Sequence, residues 1–118
     1  RKRWLRFPEK RAIDDTEIHD GVILDNLVHI AHNVVLGKNS AIAASCAIAG
    51  SSKIGKNFQM GGLSGVLGHL SICDDVTVGA HTLITKNIEE SGNYVGIMPA
   101  QKFKDWTKSS VLIKKLGK

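Results

Sequence analysis

An aliphatic residue recurs at every sixth position through most of the chain. Twelve consecutive hexads obey this rule, and a second column, from Val22 to Ile88, is apolar or small throughout. An α-helix needs apolar spacing near 3.6 residues and a half-buried strand alternates by two, so neither produces a period of six. A coil of short strands with turns at fixed offsets does produce it. The aliphatic residues are Ile18, Leu24, Ile30, Leu36, Ile42, Ile48, Ile54, Met60, Val66, Ile72, Val78 and Ile84.

The repeat predicts an all-β fold, a parallel β-helix of about four coils, because three strands would form one triangular turn of about 18 residues. An irregular β-sandwich is the alternative. The general rule for parallel crossovers favours a right-handed coil, but the spacing leaves handedness open. We expect a basic arm or truncated coil at 1–13, the β-helix at 14–88, a turn and extended segment at 89–100, and an amphipathic basic helix at 101–118 that caps the coil.

Four glycines directly follow residues of the aliphatic column. We expect them where a turn needs a positive φ or where two backbones approach closely. Aromatic residues make up only 5% of the chain, so small aliphatic side chains must fill the interior. The glycines are Gly37, Gly55, Gly61 and Gly79.

The net charge of +5 is concentrated at the two ends of the chain. Nucleic acid, an anionic membrane surface and an acidic protein would each be attracted to this positive charge, so the charge alone does not identify the partner. No apolar run approaches the roughly 18 residues that span a bilayer, and we expect a cytoplasmic protein. Two cysteines, Cys46 and Cys73, are too few for a disulfide framework and are expected to be buried thiols.

Positions separated by three hexads should lie above one another, which stacks Asp14, His32, Gly50 and Gly68 in one column. His69 follows Gly68 and should lie about 10 Å from His32, two strand spacings away. A neutral imidazole can take a proton from an attacking amine, and a glycine N–H can stabilise an oxyanion. Asp14 could hold the tautomer of the ring. From spacing alone, a solvated corner residue is the more common explanation of a histidine such as His32.

The other histidines lack such neighbours and are expected on the surface: His19, His29 and His81. Only His32 and His69 should lie near each other, and no cysteine or carboxylate completes a ligand set. We therefore expect no metal site.

Several runs around this column resemble UDP-3-O-(3-hydroxyacyl)glucosamine N-acyltransferases of the lipid A pathway in Gram-negative bacteria. The resemblance extends from about Asp14 to Lys108 and implies a left-handed β-helix, a homotrimer and active sites between neighbouring subunits. The runs are Asp14-Asp15-Thr16 to Asn26, Ile30-Ala31-His32-Asn33-Val34-Val35-Leu36-Gly37, Ala49-Gly50-Ser51, Lys53-Ile54-Gly55, Gly61-Gly62 and Gly68-His69 to Ile72-Cys73-Asp74.

The resemblance also implies a chemistry. His32 would be the general base that deprotonates the glucosamine 2-amino group, the Gly50 N–H would stabilise the oxyanion, and His69 would assist. The donor would be a 3-hydroxyacyl thioester on the phosphopantetheine of acyl carrier protein, with no other cofactor. Substrate contacts are expected from Asp14, Asn33 and Lys86.

The implied partners are an acyl carrier protein and a UDP-glucosamine lipid precursor, not nucleic acid, with a position near the membrane surface. The lysine-rich C-terminal helix corresponds to the element of the family that recognises the carrier protein. Its lysines are Lys102, Lys104, Lys108, Lys114 and Lys115.

The N-terminal segment departs from the family pattern. Trp4-Leu5-Arg6-Phe7-Pro8 resembles the Trp-x-Arg-x-Pro loop of the family, but about one coil that normally follows it is absent, as is the domain that holds the uridine. The alternative is therefore a truncated, non-catalytic trimeric β-helix that still binds acyl carrier protein. An acetyltransferase that uses coenzyme A is a third possibility.

Overall fold

Short strands wind through the chain as a parallel β-solenoid of about four turns, followed by one helix. The computed structural model describes residues 5–8, 11–13, 15–97 and 99–117. The strands are β1 (Leu5–Phe7), β2 (Arg11–Ile13), β3 (Thr16–Ile18), β4 (Val22–Leu24), β5 (His29–Ile30), β6 (Val35–Leu36), β7 (Ala41–Ile42), β8 (Ala47–Ile48), β9 (Lys53–Ile54), β10 (Gln59–Met60), β11 (Gly65–Val66), β12 (Ser71–Ile72), β13 (Val76–Val78), β14 (Leu83–Ile84) and β15 (Gly92–Tyr94), and the helix is α1 (Phe103–Leu116).

The strands form three sheets, which are the faces of a prism. Face 1 has the order β1-β4-β7-β10-β13-β15, face 2 the order β5-β8-β11-β14, and face 3 the order β2-β3-β6-β9-β12. Up to β14, successive coils pair in parallel with each paired residue opposite its counterpart three hexads later, as in Leu36 with Ile54 and Ile48 with Val66. The predicted β-helix is confirmed, while its left-handed sense stays a prediction.

The aliphatic column points into the prism. Leu36, Ile42 and Ile48 are fully buried, and Ile30 is the half-buried member of the column. The second column is buried as well, apart from the half-buried Val28 and Leu70, although some of its members are polar. Their hydroxyls bridge coils: Ser52 Oγ donates to the Leu67 carbonyl at 2.7 Å and accepts the Leu70 N–H at 3.2 Å. A buried polar group satisfied in this way avoids the desolvation cost of an unpaired one.

Each corner from Asp15 to His81 holds one residue with positive φ, and these residues also recur every six positions. Positive φ is unfavourable for L-residues other than glycine, so the stacked coils must hold it in place. Positive φ is one of the two expectations for glycines such as Gly37, but the structure has it two residues later, at Asn39. The corner residues are Asp15, Gly21, Leu27, Asn33, Asn39, Ser45, Ser51, Asn57, Leu63, His69, Asp75 and His81.

The glycines after the aliphatic column instead permit close backbone approach, the second reason that the sequence analysis gave for them. A Cβ on Gly37 would lie 2.4 Å from the carbonyl carbon and oxygen of Gly55 in the next coil. A Cβ on Gly61 would lie 2.5 Å from the backbone nitrogen of Ala80. Side chains at these positions would force the coils apart.

The N-terminal end contains two strands where the sequence indicated a loop or arm. Strand β1 pairs antiparallel with β4, and β2 pairs antiparallel with β3. These pairings provide hydrogen-bond partners for the backbone N–H and C=O groups of the first coil on faces 1 and 3. Without them, the edges of these two sheets would be unpaired.

The period of six breaks near the C-terminal end of the solenoid. Ile88 bridges to Ile72, whereas a strict repeat would place it above Leu70. The segment from Ile84 to Ile88 is therefore two residues shorter than the corner below it. Strand β15 then returns to face 1 and pairs in parallel with β13, inside the segment predicted to be a turn and extended chain.

Helix α1 lies within the range predicted for it, but it does not bury a side chain in the single chain. Its apolar residues are exposed, including Phe103 at 83% and Leu116 at 84%. The expected cap, in which this apolar surface packs on the coil, is absent from the described part of one subunit.

The two cysteines are free thiols, and they differ in exposure. Cys46 is buried and donates its Sγ–H to the Gly61 carbonyl at 3.1 Å. Burial raises the pKa of the Cys46 thiol, which keeps it protonated and unreactive. Cys73 is half-buried at the edge of the core, so only Cys46 is fully buried as expected.

We predict that Gly37→Ala destabilises the protein by about 1–3 kcal/mol, because the new methyl group meets rigid backbone of the adjacent coil. Gly62→Ala is the matched control: its Cβ would meet only the Ala44 carbonyl, at 3.6 Å. Urea denaturation followed by circular dichroism measures both. Equal stability of the two variants would contradict the close stacking of coils at Gly37.

Candidate active site

The candidate residues lie at one corner of the prism, where face 2 passes into face 3. Residues 32–33 join β5 to β6, 50–51 join β8 to β9, and 68–69 join β11 to β12. We call this stack of three turns the site corner. One column of the site corner is His32, Gly50 and Gly68; the adjacent column, with positive φ, is Asn33, Ser51 and His69.

The imidazole of His32 lies directly against Gly50 in the next coil. A Cβ on Gly50 would be 2.6 Å from His32 Nε2 and 2.7 Å from Cε1. Any other residue at position 50 would therefore compete with the ring for the same space. The stacking that the repeat predicts is present at this corner.

The other ring nitrogen of His32 contacts the next residue in the chain. His32 Nδ1 and Asn33 Oδ1 are 2.9 Å apart. The backbone of His32 is also held from the coil above, because the Ser51 N–H donates to the His32 carbonyl at 2.9 Å. The ring is exposed to solvent in the single chain, so a substrate can reach it.

The backbone N–H of Gly50 is available to a ligand. The N–H groups on either side of it are used within the solenoid: Ala49 donates to the Val66 carbonyl and Ser51 to the His32 carbonyl. Among the residues that the structure describes, no acceptor faces the Gly50 N–H. An unused N–H beside an imidazole is the arrangement that an oxyanion site requires.

His69 occupies the same corner without touching His32. Its N–H donates to the Gly50 carbonyl at 3.0 Å, and its side chain is exposed. It lies two coils above Asn33, a separation of about 10 Å by strand spacing. Both histidines therefore border one surface, at a distance that a substrate could bridge.

Lys86 continues the corner upward. The pairing of β14 on β11 and the bridge from Ile88 to Ile72 place the short segment 85–87 above residues 67–71, and Lys86 is exposed there. Asp14, expected to hold the ring or to contact substrate, lies outside the described residues.

Sequence reasoning missed Ser51 as a member of the site corner. It is half-buried between Asn33 and His69 in the positive-φ column. These three positions are separated by three hexads each, and counting along the repeat from Asn33 would have identified Ser51.

The remaining histidines lie elsewhere on the solenoid. His19 Nε2 is 3.1 Å from Glu17 Oε1, and both side chains are partly exposed. His29 and His81 are exposed, as expected. Over the described ranges, no three His, Cys, Asp or Glu residues are grouped so that they could hold a metal ion. A membrane-crossing helix is likewise not found in the described part of the chain.

Comparison with known proteins supports the fold. Residues 15–50 match the family described as bacterial transferase hexapeptide (six repeats). A crystal structure of serine acetyltransferase isoform 3 from Entamoeba histolytica, in complex with cysteine, superposes with a TM-score of 0.50 at 20% identity, covering 74% of this chain and 41% of that one. These findings place the chain in the class of hexapeptide-repeat β-helix proteins.

Curated relatives define the family within this class. UDP-3-O-acylglucosamine N-acyltransferase of Bordetella pertussis is 43% identical over 92% of this chain and 30% of its own length. The protein of the same name from Delftia acidovorans is 43% identical over 92% of this chain and 32% of its own. The chain belongs to the UDP-3-O-acylglucosamine N-acyltransferase family, and it spans about a third of the length of these relatives.

We predict that Gly50→Ala displaces the His32 ring without unfolding the chain, because a side chain can rotate away where backbone cannot. The imidazole resonances of His32 in NMR spectra should shift, while those of His29 and His81 stay in place. Gly62→Ala should leave all of them unchanged. Unaltered His32 resonances in Gly50→Ala would show that the ring does not lie against Gly50.

Proposed function

We propose that this chain carries the acyl-transfer site of an N-acyltransferase in lipid A biosynthesis. A 3-hydroxyacyl group would move from acyl carrier protein to the 2-amino group of UDP-3-O-acyl-glucosamine. One observation carries the proposal: the imidazole of His32 lies against Gly50, whose N–H has no acceptor among the described residues. The names of the curated relatives support the choice of acyl transfer to an amino sugar.

The arrangement supports a specific sequence of bond changes. His32 Nε2 accepts a proton from the 2-amino group of the acceptor while the nitrogen of that amino group forms a bond to the thioester carbonyl carbon. The carbonyl oxygen becomes negative and accepts a hydrogen bond from the Gly50 N–H. The intermediate collapses, the carbon–sulfur bond breaks, and the proton on His32 passes to the departing thiolate. The products are an amide and a free phosphopantetheine thiol.

Other residues of the site corner would bind substrate. His69 and Asn33 border the surface that His32 occupies, so they are proposed to contact the sugar or the acyl group. Asp14 is proposed as a substrate contact from the family resemblance. No step in this mechanism requires a metal ion or another cofactor.

Positive charge supports acyl carrier protein as the donor. Lys86 lies at the top of the site corner, where it could meet the phosphate of a phosphopantetheine arm. Exposed lysines on and beside α1 add a cationic surface that would attract an acidic partner, although surface charge of this kind also serves solubility. They are Lys102, Lys104, Lys108, Lys114 and Lys115.

Apolar exposure supports the proposed homotrimer. Leu27, Leu63 and Leu83 are 85%, 57% and 57% exposed, on face 2 or the corner that leads into it. Exposed leucines grouped on one side of a small protein are typical of a surface that another subunit covers. The proposed acceptor carries a lipid chain, so we place the reaction in the cytoplasm close to the membrane surface, with no role for nucleic acid.

The alternative function is a non-catalytic trimeric β-helix that still binds acyl carrier protein. Carrier binding without turnover by the wild-type chain would support this alternative.

We predict that His32→Asn lowers the rate of N-acylation by about 10²–10⁴-fold, because asparagine cannot act as the base. His81→Asn should retain the wild-type rate, because His81 lies at a different, exposed corner and no described glycine lies against its ring as Gly50 lies against that of His32. The assay supplies UDP-3-O-acyl-glucosamine with either acyl carrier protein or coenzyme A thioesters and follows amide formation by mass spectrometry.

Equal rates for His32→Asn and wild type would contradict the proposed role of His32. A preference for the coenzyme A thioester would contradict the carrier protein as donor. Sedimentation and circular dichroism must show that each variant keeps the assembly state and fold of the wild type.

A further inference from the structure

We propose that Asn33 is a positioning residue that fixes the tautomer of His32 with the hydrogen on Nδ1, leaving Nε2 free as the base. The inference deepens the proposed function and depends on it only for the reaction in which the base acts. Sequence reasoning gave Asn33 to substrate binding and the orienting role to Asp14. The structure instead shows a direct contact between Asn33 and the ring.

The chemistry of the contact determines the tautomer. Asn33 Oδ1 is a carbonyl oxygen, which accepts hydrogen bonds and cannot donate them. At a separation of 2.9 Å, His32 Nδ1 must carry the hydrogen of that bond. A neutral imidazole has one such hydrogen, so Nε2 keeps its lone pair.

The free nitrogen is also the one that faces the rest of the site. Nε2 is the ring atom nearest to the position that a Cβ on Gly50 would occupy, at 2.6 Å. The unused Gly50 N–H belongs to the same residue. The tautomer set by Asn33 therefore places the proton acceptor beside the proposed oxyanion donor.

The corner conformation explains why an asparagine can do this. Asn33 has a φ of 56°, in the left-handed region that asparagine and aspartate enter more readily than most residues. The Ser51 N–H fixes the preceding carbonyl from the next coil, which holds the turn in shape.

Another corner asparagine uses its side chain differently. Asn57 also has positive φ, but its Nδ2 donates to Asp75 Oδ1 of the adjacent coil at 2.8 Å. Bonding between coils is thus open to an asparagine at such a corner. At the site corner the side chain of Asn33 turns to the imidazole beside it, which distinguishes this asparagine from one that only stabilises the stack.

The test reads the tautomer directly, on the full 118-residue chain. Long-range proton–nitrogen NMR correlations of ¹⁵N-labelled histidine, recorded at alkaline pH where the ring is neutral, distinguish protonated from unprotonated ring nitrogens. We expect His32 to show a protonated Nδ1 and an unprotonated Nε2. A protonated Nε2 in the wild-type chain would overturn the proposal.

Three variants separate positioning from a structural role. Asn33→Gly keeps a residue that tolerates positive φ but removes the acceptor, so His32 should change to a mixture of tautomers. Asn33→Asp keeps both the acceptor and the turn preference and should restore the protonated Nδ1. Asn39→Gly makes the same backbone change at a different corner and should leave His32 unaffected. An unchanged tautomer in Asn33→Gly would overturn the proposal.

Turnover gives a second, separate measurement. With the acylation assay, Asn33→Gly should lower kcat by about 10- to 100-fold, the size of effect seen for residues that orient metal-bound histidines. A change in KM would report separately on the substrate contact proposed for Asn33. Asn33→Asp should recover most of the loss. If the wild-type chain shows no turnover, the proposed function fails while the NMR result still decides the role of Asn33.

Discussion

Backbone hydrogen bonding between coils is the constraint on which the rest of this protein depends. Strand residues up to β14 pair with their counterparts one coil further along the chain, and inter-coil bonds continue at the corners, as from Ser51 N–H to the His32 carbonyl and from His69 N–H to the Gly50 carbonyl. Because these inter-coil hydrogen bonds form a continuous ladder, the position of a residue in one coil determines which residue of the next coil lies above it. The site corner is a direct product of that register.

The ladder also explains how the solenoid tolerates unfavourable backbone. Eleven non-glycine residues in the described part have positive φ, each at a corner. Each such residue costs free energy, and the inter-coil bonds together with the buried column offset it. The same tight stacking leaves no space for a Cβ at Gly37 or at Gly50, in the first case against backbone and in the second against a ring.

The period of six was enough to predict the coils, the buried column and the stacking of His32 on Gly50. Each of these follows from counting residues along a regular winding. Irregular features did not follow from it. The antiparallel strands β1 and β2 lack the hexad pattern, and the displacement of Ile88 arises from a corner that is two residues shorter than the others. Such local changes leave no periodic signal.

The candidate site also has features that the sequence predicts and features that it does not. Its backbone geometry was predictable, whereas the direction of the Asn33 side chain depends on the rotamer that one left-handed turn permits. The predicted packing of α1 on the coil is not seen in the described part of a single subunit, where the apolar residues of the helix are exposed. Family membership adds the chemistry that spacing alone leaves open: an imidazole at a corner becomes a proposed base because relatives transfer acyl groups.

The most direct measurement of the central claim is a nuclear Overhauser contact between the His32 ring and the backbone of Gly50. The account predicts cross-peaks from the Hε1 proton of His32 to the α-protons of Gly50, because Cε1 lies against that glycine. Cross-peaks from that ring proton only to residues of its own coil, with none to Gly50, would contradict it and remove the geometric basis for acyl transfer at this corner.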